Sequence, residues 1–135
     1  MIDDRAFESY FIQAQKVRRL IQYSFDDVFS IDNILHDRRM PSSRQEKCDI
    51  LLCPTTVGPA PELASLSSLT PVVTYVNDVF TVPGSLAGLP AINVPVQVDG
   101  NIVGLQLVGQ VGTDYMVLQA ARDLENIFRN TRKLA

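Results

Sequence analysis

Apolar side chains recur at three- and four-residue spacing through the first helical stretch of the chain. Phe7, Phe11, Ala14, Val17, Ile21, Phe25 and Val28 draw one stripe, and Arg5, Lys16, Arg19 and Asp26 fall mainly off it. Asp3 or Asp4 can cap this element, so the spacing predicts an amphipathic helix reaching about Phe29 and covering a sheet. The pattern then dissolves. Residues 30–47 hold Asp32, Asn33, His36, Asp37, Arg38, Arg39, Pro41, Ser42, Ser43, Arg44 and Glu46 without any period, which reads as a solvated loop or insertion.

Apolar residues return at 48–53, a short run bounded by Pro54 that predicts a buried strand. Residues 55–71 are rich in Pro, Gly, Ser and Thr and read as a connecting loop, which Leu63, Leu66 and Leu69 could fasten to the body. The stretch from Tyr75 to Pro95 carries three of the eight prolines and two of the seven glycines. A first short helix is expected within 72–79, carrying Asp78 and Tyr75, whose residue type fits either substrate contact or packing, with packing favoured. Pro83 suits the first turn of a second helix, because its missing N–H would be unpaired there anyway. Gly88 is placed to end that helix in the left-handed conformation, and Pro90 stops its continuation. Such a broken segment can present backbone groups and the Asp78 carboxylate to a cavity.

The last third is more regular. Residues 92–98 and 102–108 alternate apolar side chains around Asp99-Gly100, a dipeptide suited to a tight hairpin turn. Gly104 and Gly109 leave room for close approach of a neighbour. Thr113 is expected to cap a final helix whose inward stripe is Val117, Ala121, Leu124 and Phe128. Arg129, Arg132 and Lys133 complement its C-terminal dipole. The element order is helix, strand, irregular helices, hairpin, helix, which predicts one α/β domain from 135 residues.

Composition narrows the function classes. The net charge is −3, and the twelve Lys and Arg residues do not gather on one predicted face, so a nucleic-acid surface is not indicated. No apolar run approaches the roughly 20 residues that span a bilayer. Met1-Ile-Asp-Asp-Arg opens with acids, so no secretory leader is expected. Cys48 and Cys53 without such a leader read as reduced, half-buried thiols, and His36 as the only histidine argues against a metal site.

No complete catalytic constellation is visible. A single histidine in a polar loop does not build a triad with Asp78. Gly104-Leu105-Gln106-Leu107-Val108-Gly109 follows no phosphate-binding fingerprint. Asp26-Asp27 is expected to face water on the first helix. Asp78 is the one acid embedded in the structured middle, and its residue type fits either a helix cap or a ligand-binding carboxylate.

The run Asn77-Asp78-Val79-Phe80-Thr81-Val82-Pro83 through Leu86-Ala87-Gly88-Leu89-Pro90-Ala91-Ile92 resembles the C-terminal part of amidase-signature enzymes, within them the branch of glutamyl-tRNA(Gln) amidotransferase A-type subunits. Gln15-Lys16-Val17-Arg18 with Leu20-Ile21 is similar to a late helix of that family. Cys48-Asp49-Ile50-Leu51-Leu52-Cys53-Pro54-Thr55-Thr56 is similar to its Tyr-Asp-(apolar)-Pro-Thr strand exit, and Val103 to Gly109 to its final strand. The likeness covers nearly the whole chain except 30–47.

The resemblance implies the C-terminal portion of the amidase-signature fold, a mixed sheet flanked by helices and incomplete as a domain. It implies residues 1–135 as part of a single amidase domain with a polar insertion near 30–47. Family members hydrolyse amides with a Lys–Ser–Ser arrangement, and no lysine or serine of this sequence matches those positions. The expectation is therefore no catalytic residue here and no glutaminase activity from this chain alone. Strands 50–52, 92–98 and 102–108 would lack neighbours supplied by the rest of such a domain, and their unpaired edges predict poor solubility in isolation. Asp78 matches the acid that helps hold substrate glutamine. ATP and magnesium would be used by a B-type partner subunit that amidates Glu-tRNA(Gln). A small accessory subunit would join them, and tRNA would be met through the complex. The insertion leans toward the fungal mitochondrial type, in the matrix, with a bacterial cytoplasmic version as the alternative. Rival readings are another amidase acting on small amides, and a non-catalytic assembly protein with a truncated amidase fold.

Overall fold

A computed structural model of the chain describes residues 4–36, 46–68, 70–98 and 100–131. Its centre is the C-terminal hairpin. Strand β2 (Ala91–Val98) pairs antiparallel with β3 (Asn101–Gly109), in register from Ala91 opposite Val108 to Val98 opposite Asn101. Gly100 closes the turn at φ +80°, a value a side chain would resist. Strand β1 (Ile50–Pro54) lies antiparallel on the other side of β3, which gives the order β1-β3-β2.

One face of this sheet is buried under helix α4 (Asp114–Thr131). Val94 and Leu107 from the strands meet Val117 and Ala121 from the helix, with Ile50, Ile92, Ala120 and Leu124 packed around them. Alternation in the strands and three- or four-residue spacing in the helix deliver these side chains to one layer. Gly109 lets α4 come close, since a methyl there would lie 2.5 Å from both the Thr113 hydroxyl and the Val117 side chain. Thr113 stands at the predicted start of α4, but its hydroxyl donates to the Gln110 carbonyl at 2.7 Å. Phe128, expected inside, is 36% exposed, because the sheet ends before the helix does. Arg129 donates to Glu125 one turn earlier at 2.7 Å, and Arg132 and Lys133 lie outside the described residues.

The predicted run 48–53 becomes β1 at 50–54, and it is an edge strand with Leu52 56% exposed, not a buried one. Its outer side has no strand partner among the described residues. Cys48 instead forms a parallel bridge with Phe29: the Ser30 N–H donates to the Cys48 carbonyl at 2.8 Å and the Cys48 N–H to the Val28 carbonyl at 3.0 Å. The residues that flank 30–47 are therefore held together at one clamp. Residues 37–45 of that predicted loop lie outside the described residues.

Helix α1 (Asp4–Val28) does not cover the sheet. It packs against α3 (Val82–Ala87). The C-terminal half of its stripe is partly enclosed, at Ile21, Phe25 and Val28, but Val17 is 55% exposed. A stripe specifies that a face wants cover without specifying what supplies it. Between β1 and α3 come a 3-10 turn at Leu63–Ser68 and helix α2 (Pro71–Asn77). Leu63 is 87% exposed and Leu66 is exposed too, so neither fastens this segment to the body; Leu69 lies outside the described residues.

Candidate substrate-binding site

Asp78 sits where α2 passes into α3. The start of α2 is set by Thr70, whose hydroxyl accepts from the Val73 N–H at 3.4 Å, followed by Pro71 in the first turn. Asp78 closes that helix with near-helical backbone, φ −91° and ψ 0°, and its N–H donates to the Tyr75 carbonyl at 3.2 Å. Its own carbonyl then accepts from the N–H groups of Thr81 and Val82 at 3.1 and 3.0 Å, and from the Thr81 hydroxyl at 3.2 Å. The backbone of Asp78 thus belongs to both helices. Pro83 stands in the first turn of α3, and Gly88 ends it at φ +77°, as the proline and glycine pattern predicts.

The carboxylate is a different matter. It does not cap a helix, is exposed, and has no hydrogen-bond partner among the described residues. Among the described residues no element closes over it, and α2 has no buried residue. Tyr75, expected to pack, is 81% exposed for the same reason. Val72, Val73 and Val76 are exposed beside it.

The far end of α3 is anchored by α1. The last four carbonyls of a short helix need partners from elsewhere. Gly84 O accepts from the Leu89 N–H at 3.1 Å and Ser85 O from the Gly88 N–H at 3.2 Å, the pattern that a left-handed glycine cap makes. Leu86 O accepts from Arg18 Nε at 2.7 Å, and Ala87 O from Gln22 Nε2 at 3.4 Å.

A polar cluster lies further along α1. Asp26, expected to face water, is half-buried because three donors converge on it. Asn33 Nδ2 and Gln110 Nε2 each donate to Oδ1 at 3.0 Å, and His36 Nδ1 lies 2.9 Å from Oδ2. Gln110 is fully buried, and its Oε1 accepts from the Val111 N–H at 2.8 Å. His36 is not a loop histidine in solvent. Its Nε2 meets the Arg19 guanidinium, and a guanidinium can only donate, so the ring proton belongs on Nδ1 and points at Asp26. With both nitrogens occupied, His36 is a structural link and no general base. Arg19 also donates to Gln22 Oε1 at 3.1 Å and lies 4.3 Å over the Tyr23 ring.

The two cysteines are free and half-buried, and burial raises the Cys53 thiol above its ordinary value of 9.0, away from nucleophilic use. Among the described residues no three His, Cys, Asp or Glu side chains gather as a metal site. No helix of the described residues is long and apolar enough to cross a membrane.

Known proteins are similar to this chain in sequence and in fold. The sequence profile of the family described as Amidase matches residues 1–118. The mitochondrial A-type subunit of glutamyl-tRNA(Gln) amidotransferase from Coccidioides posadasii is 45% identical over 135 residues, covering 90% of this chain and 27% of that relative. Its counterpart in Fusarium vanettenii is 42% identical over 139 residues, covering 92% and 27%. The crystal structure of the glutamyl-tRNA(Gln) amidotransferase A-type subunit from Thermotoga maritima superposes with a TM-score of 0.63 at 34% identity, over 82% of this chain and 21% of that one. The chain spans about a quarter of the length of the curated relatives it matches.

Proposed function

The chain belongs to the amidase family, and we propose that it forms the substrate-side quarter of the glutamine-hydrolysing subunit of a glutamyl-tRNA(Gln) amidotransferase. One observation carries this reading. The Asp78 carboxylate stands on a turn whose own N–H and C=O are both bonded, yet it has no partner among the described residues and is open to solvent. A carboxylate held in place but left unused suits a cationic ligand group, here the α-ammonium of glutamine, gripped by charge-assisted hydrogen bonds. Holding glutamine at that end leaves its side-chain amide free to meet a nucleophile.

The nucleophile is not among these residues. A binding carboxylate supplies none, and the half-buried Cys53, whose thiol is pushed up by burial, is not activated. The Lys–Ser–Ser machinery is assigned to polypeptide outside the 135 residues, with which this piece completes a single amidase domain. Residues 30–47 form an excursion on that domain, clamped at its base. ATP, magnesium and Glu-tRNA(Gln) are assigned to a B-type partner subunit, with a small accessory subunit in the same complex. The fungal relatives carry mitochondrial names, and the matrix is the proposed compartment.

Co-expression tests the reading. The 135-residue chain is combined with the Coccidioides posadasii relative lacking its aligned quarter, beside the intact relative as a positive control. Neither piece alone is expected to release ammonia from glutamine, and the two together are expected to do so. Ammonia release by the shorter chain alone overturns the absence of a nucleophile. An inactive pair beside an active intact control overturns the substrate-side role and favours a non-catalytic assembly protein.

A further inference from the structure

Helix α3 has six residues, far too few to persist by itself, so what grips its two ends decides where it lies. One end is the Asp78 carbonyl, through the N–H groups of Thr81 and Val82. At the other end the glycine cap satisfies only the Gly84 and Ser85 carbonyls. The remaining two are completed from α1, by Arg18 Nε on Leu86 O and Gln22 Nε2 on Ala87 O. Arg18 also brings a positive charge to the negative end of the helix dipole.

Gln22 is itself held. An amide can turn either oxygen or nitrogen toward α3, and only the nitrogen bonds a carbonyl. Arg19 Nη1 donates to Gln22 Oε1 at 3.1 Å, which fixes the nitrogen on the α3 side. Arg19 is seated on the Tyr23 ring and against His36 Nε2, and His36 Nδ1 is tied to Asp26 at 2.9 Å. Asp26 is anchored by Asn33 and by the fully buried Gln110 just past β3. A continuous hydrogen-bonded chain thus runs from the end of the sheet through Asp26, His36, Arg19 and Gln22 to the tail of the helix that carries the Asp78 turn.

We infer that Arg18 and Gln22 are positioning residues for the Asp78 carboxylate, and that the Asp26–His36–Arg19 chain sets the orientation of Gln22. The inference rests on the reading of Asp78 as a glutamine-binding group. It assigns α1 a part in substrate affinity although none of these side chains is placed on the substrate.

The test is steady-state glutamine hydrolysis by the assembled amidotransferase in which this chain forms the C-terminal quarter of the glutamine-hydrolysing subunit. Asp78→Ala serves as the reference. Arg18→Ala and Gln22→Glu are each expected to raise KM for glutamine about tenfold, the weight of one hydrogen bond, with kcat changed less than about twofold. Gln22→Glu matters most, because it keeps the shape while replacing the donor toward Ala87 O with a carboxylate oxygen, whose added charge falls beside Arg19. A packing role would leave it near wild type. Arg18→Lys, which keeps one donor and the charge, should recover part of the loss and covers the case in which Arg18→Ala fails to fold. His36→Ala should raise KM by less, and combined with Gln22→Glu should add nothing further. If Asp78→Ala raises KM while Gln22→Glu and Arg18→Lys leave it at the wild-type value, the positioning role is wrong and the Asp78 reading stands. If Asp78→Ala leaves KM unchanged, the glutamine-binding reading itself fails.

Discussion

A methyl group at position 104 would collide with the Asn93 amide oxygen and lie 2.6 Å from the Thr55 hydroxyl, in the middle of the sheet. Those two side chains hydrogen-bond to each other across β3, Thr55 donating to Asn93, and the glycine is what lets them meet. Gly104→Ala is expected to cost about 1–3 kcal/mol by forcing them apart. A denaturation midpoint equal to wild type would contradict this. Cys53 makes a prediction of a different kind. Burial disfavours its thiolate, so its pKa in the folded chain lies above 9.0. The unfolded chain releases that proton first. The thiol's contribution to stability is therefore complete below pH 9.0 and is lost as pH rises through the folded value. Alkylation of Cys53 in the folded chain should lag behind that of a free thiol at about pH 9, while in denaturant the two should react alike. Equal rates in the folded chain would show the site to be open.

At the scale of elements, Asp26 joins three segments that are distant in sequence: α1, the start of the 30–47 excursion and the residue that follows β3. Asp26→Ala would leave the buried Gln110 amide and Asn33 without their acceptor, at a cost of about 3 kcal/mol. Asp26→Asn, which keeps an acceptor oxygen, should lose much less. Chemical denaturation of both variants checks the difference, and equal stabilities would remove the network's weight. None of this is legible in the sequence, since Gln110 lies 84 residues from Asp26 and neither carries a local pattern. What is legible is local. Pro83 and Gly88 mark the two ends of α3, and Gly100 marks the hairpin, because each fixes a backbone angle or removes a donor where it stands. The stripe on α1 specifies the helix but not its partner, so it points to a sheet where α3 is found. The same limit applies to α2. Tyr75 reads as packing from its apolar neighbours, and only the tertiary arrangement leaves Val72, Val73 and Val76 exposed with it.

The molecule as a whole consists of a small core between α4 and one face of a three-stranded sheet, and a more open region around α1, α2 and α3. That division matches the proposed work. The closed part holds shape, and the open part carries Asp78 and the apolar surface beside it. The resemblance puts Asp78 in the role of a binding group from the residues around it; the arrangement adds why the position suits that role, since its backbone is committed to two helices and its carboxylate to nothing among the described residues. Residues 1–118 fall within the amidase family profile, so the Asp78 turn and its supporting helices belong to the shared fold.

The measurement that bears most directly on this role is the dependence of Gln-tRNA(Gln) formation on its nitrogen source, compared between the wild-type assembled enzyme and Asp78→Asn. With glutamine as donor, the variant should need at least about thirtyfold more glutamine to reach half-maximal rate, the equivalent of roughly 2 kcal/mol of lost ion pairing. With free ammonia as donor, which bypasses glutamine binding, the variant should match wild type. An unchanged glutamine requirement would contradict the role, and so would an equal loss with both donors, which would place Asp78 in the structure of the complex and not in the grip on glutamine.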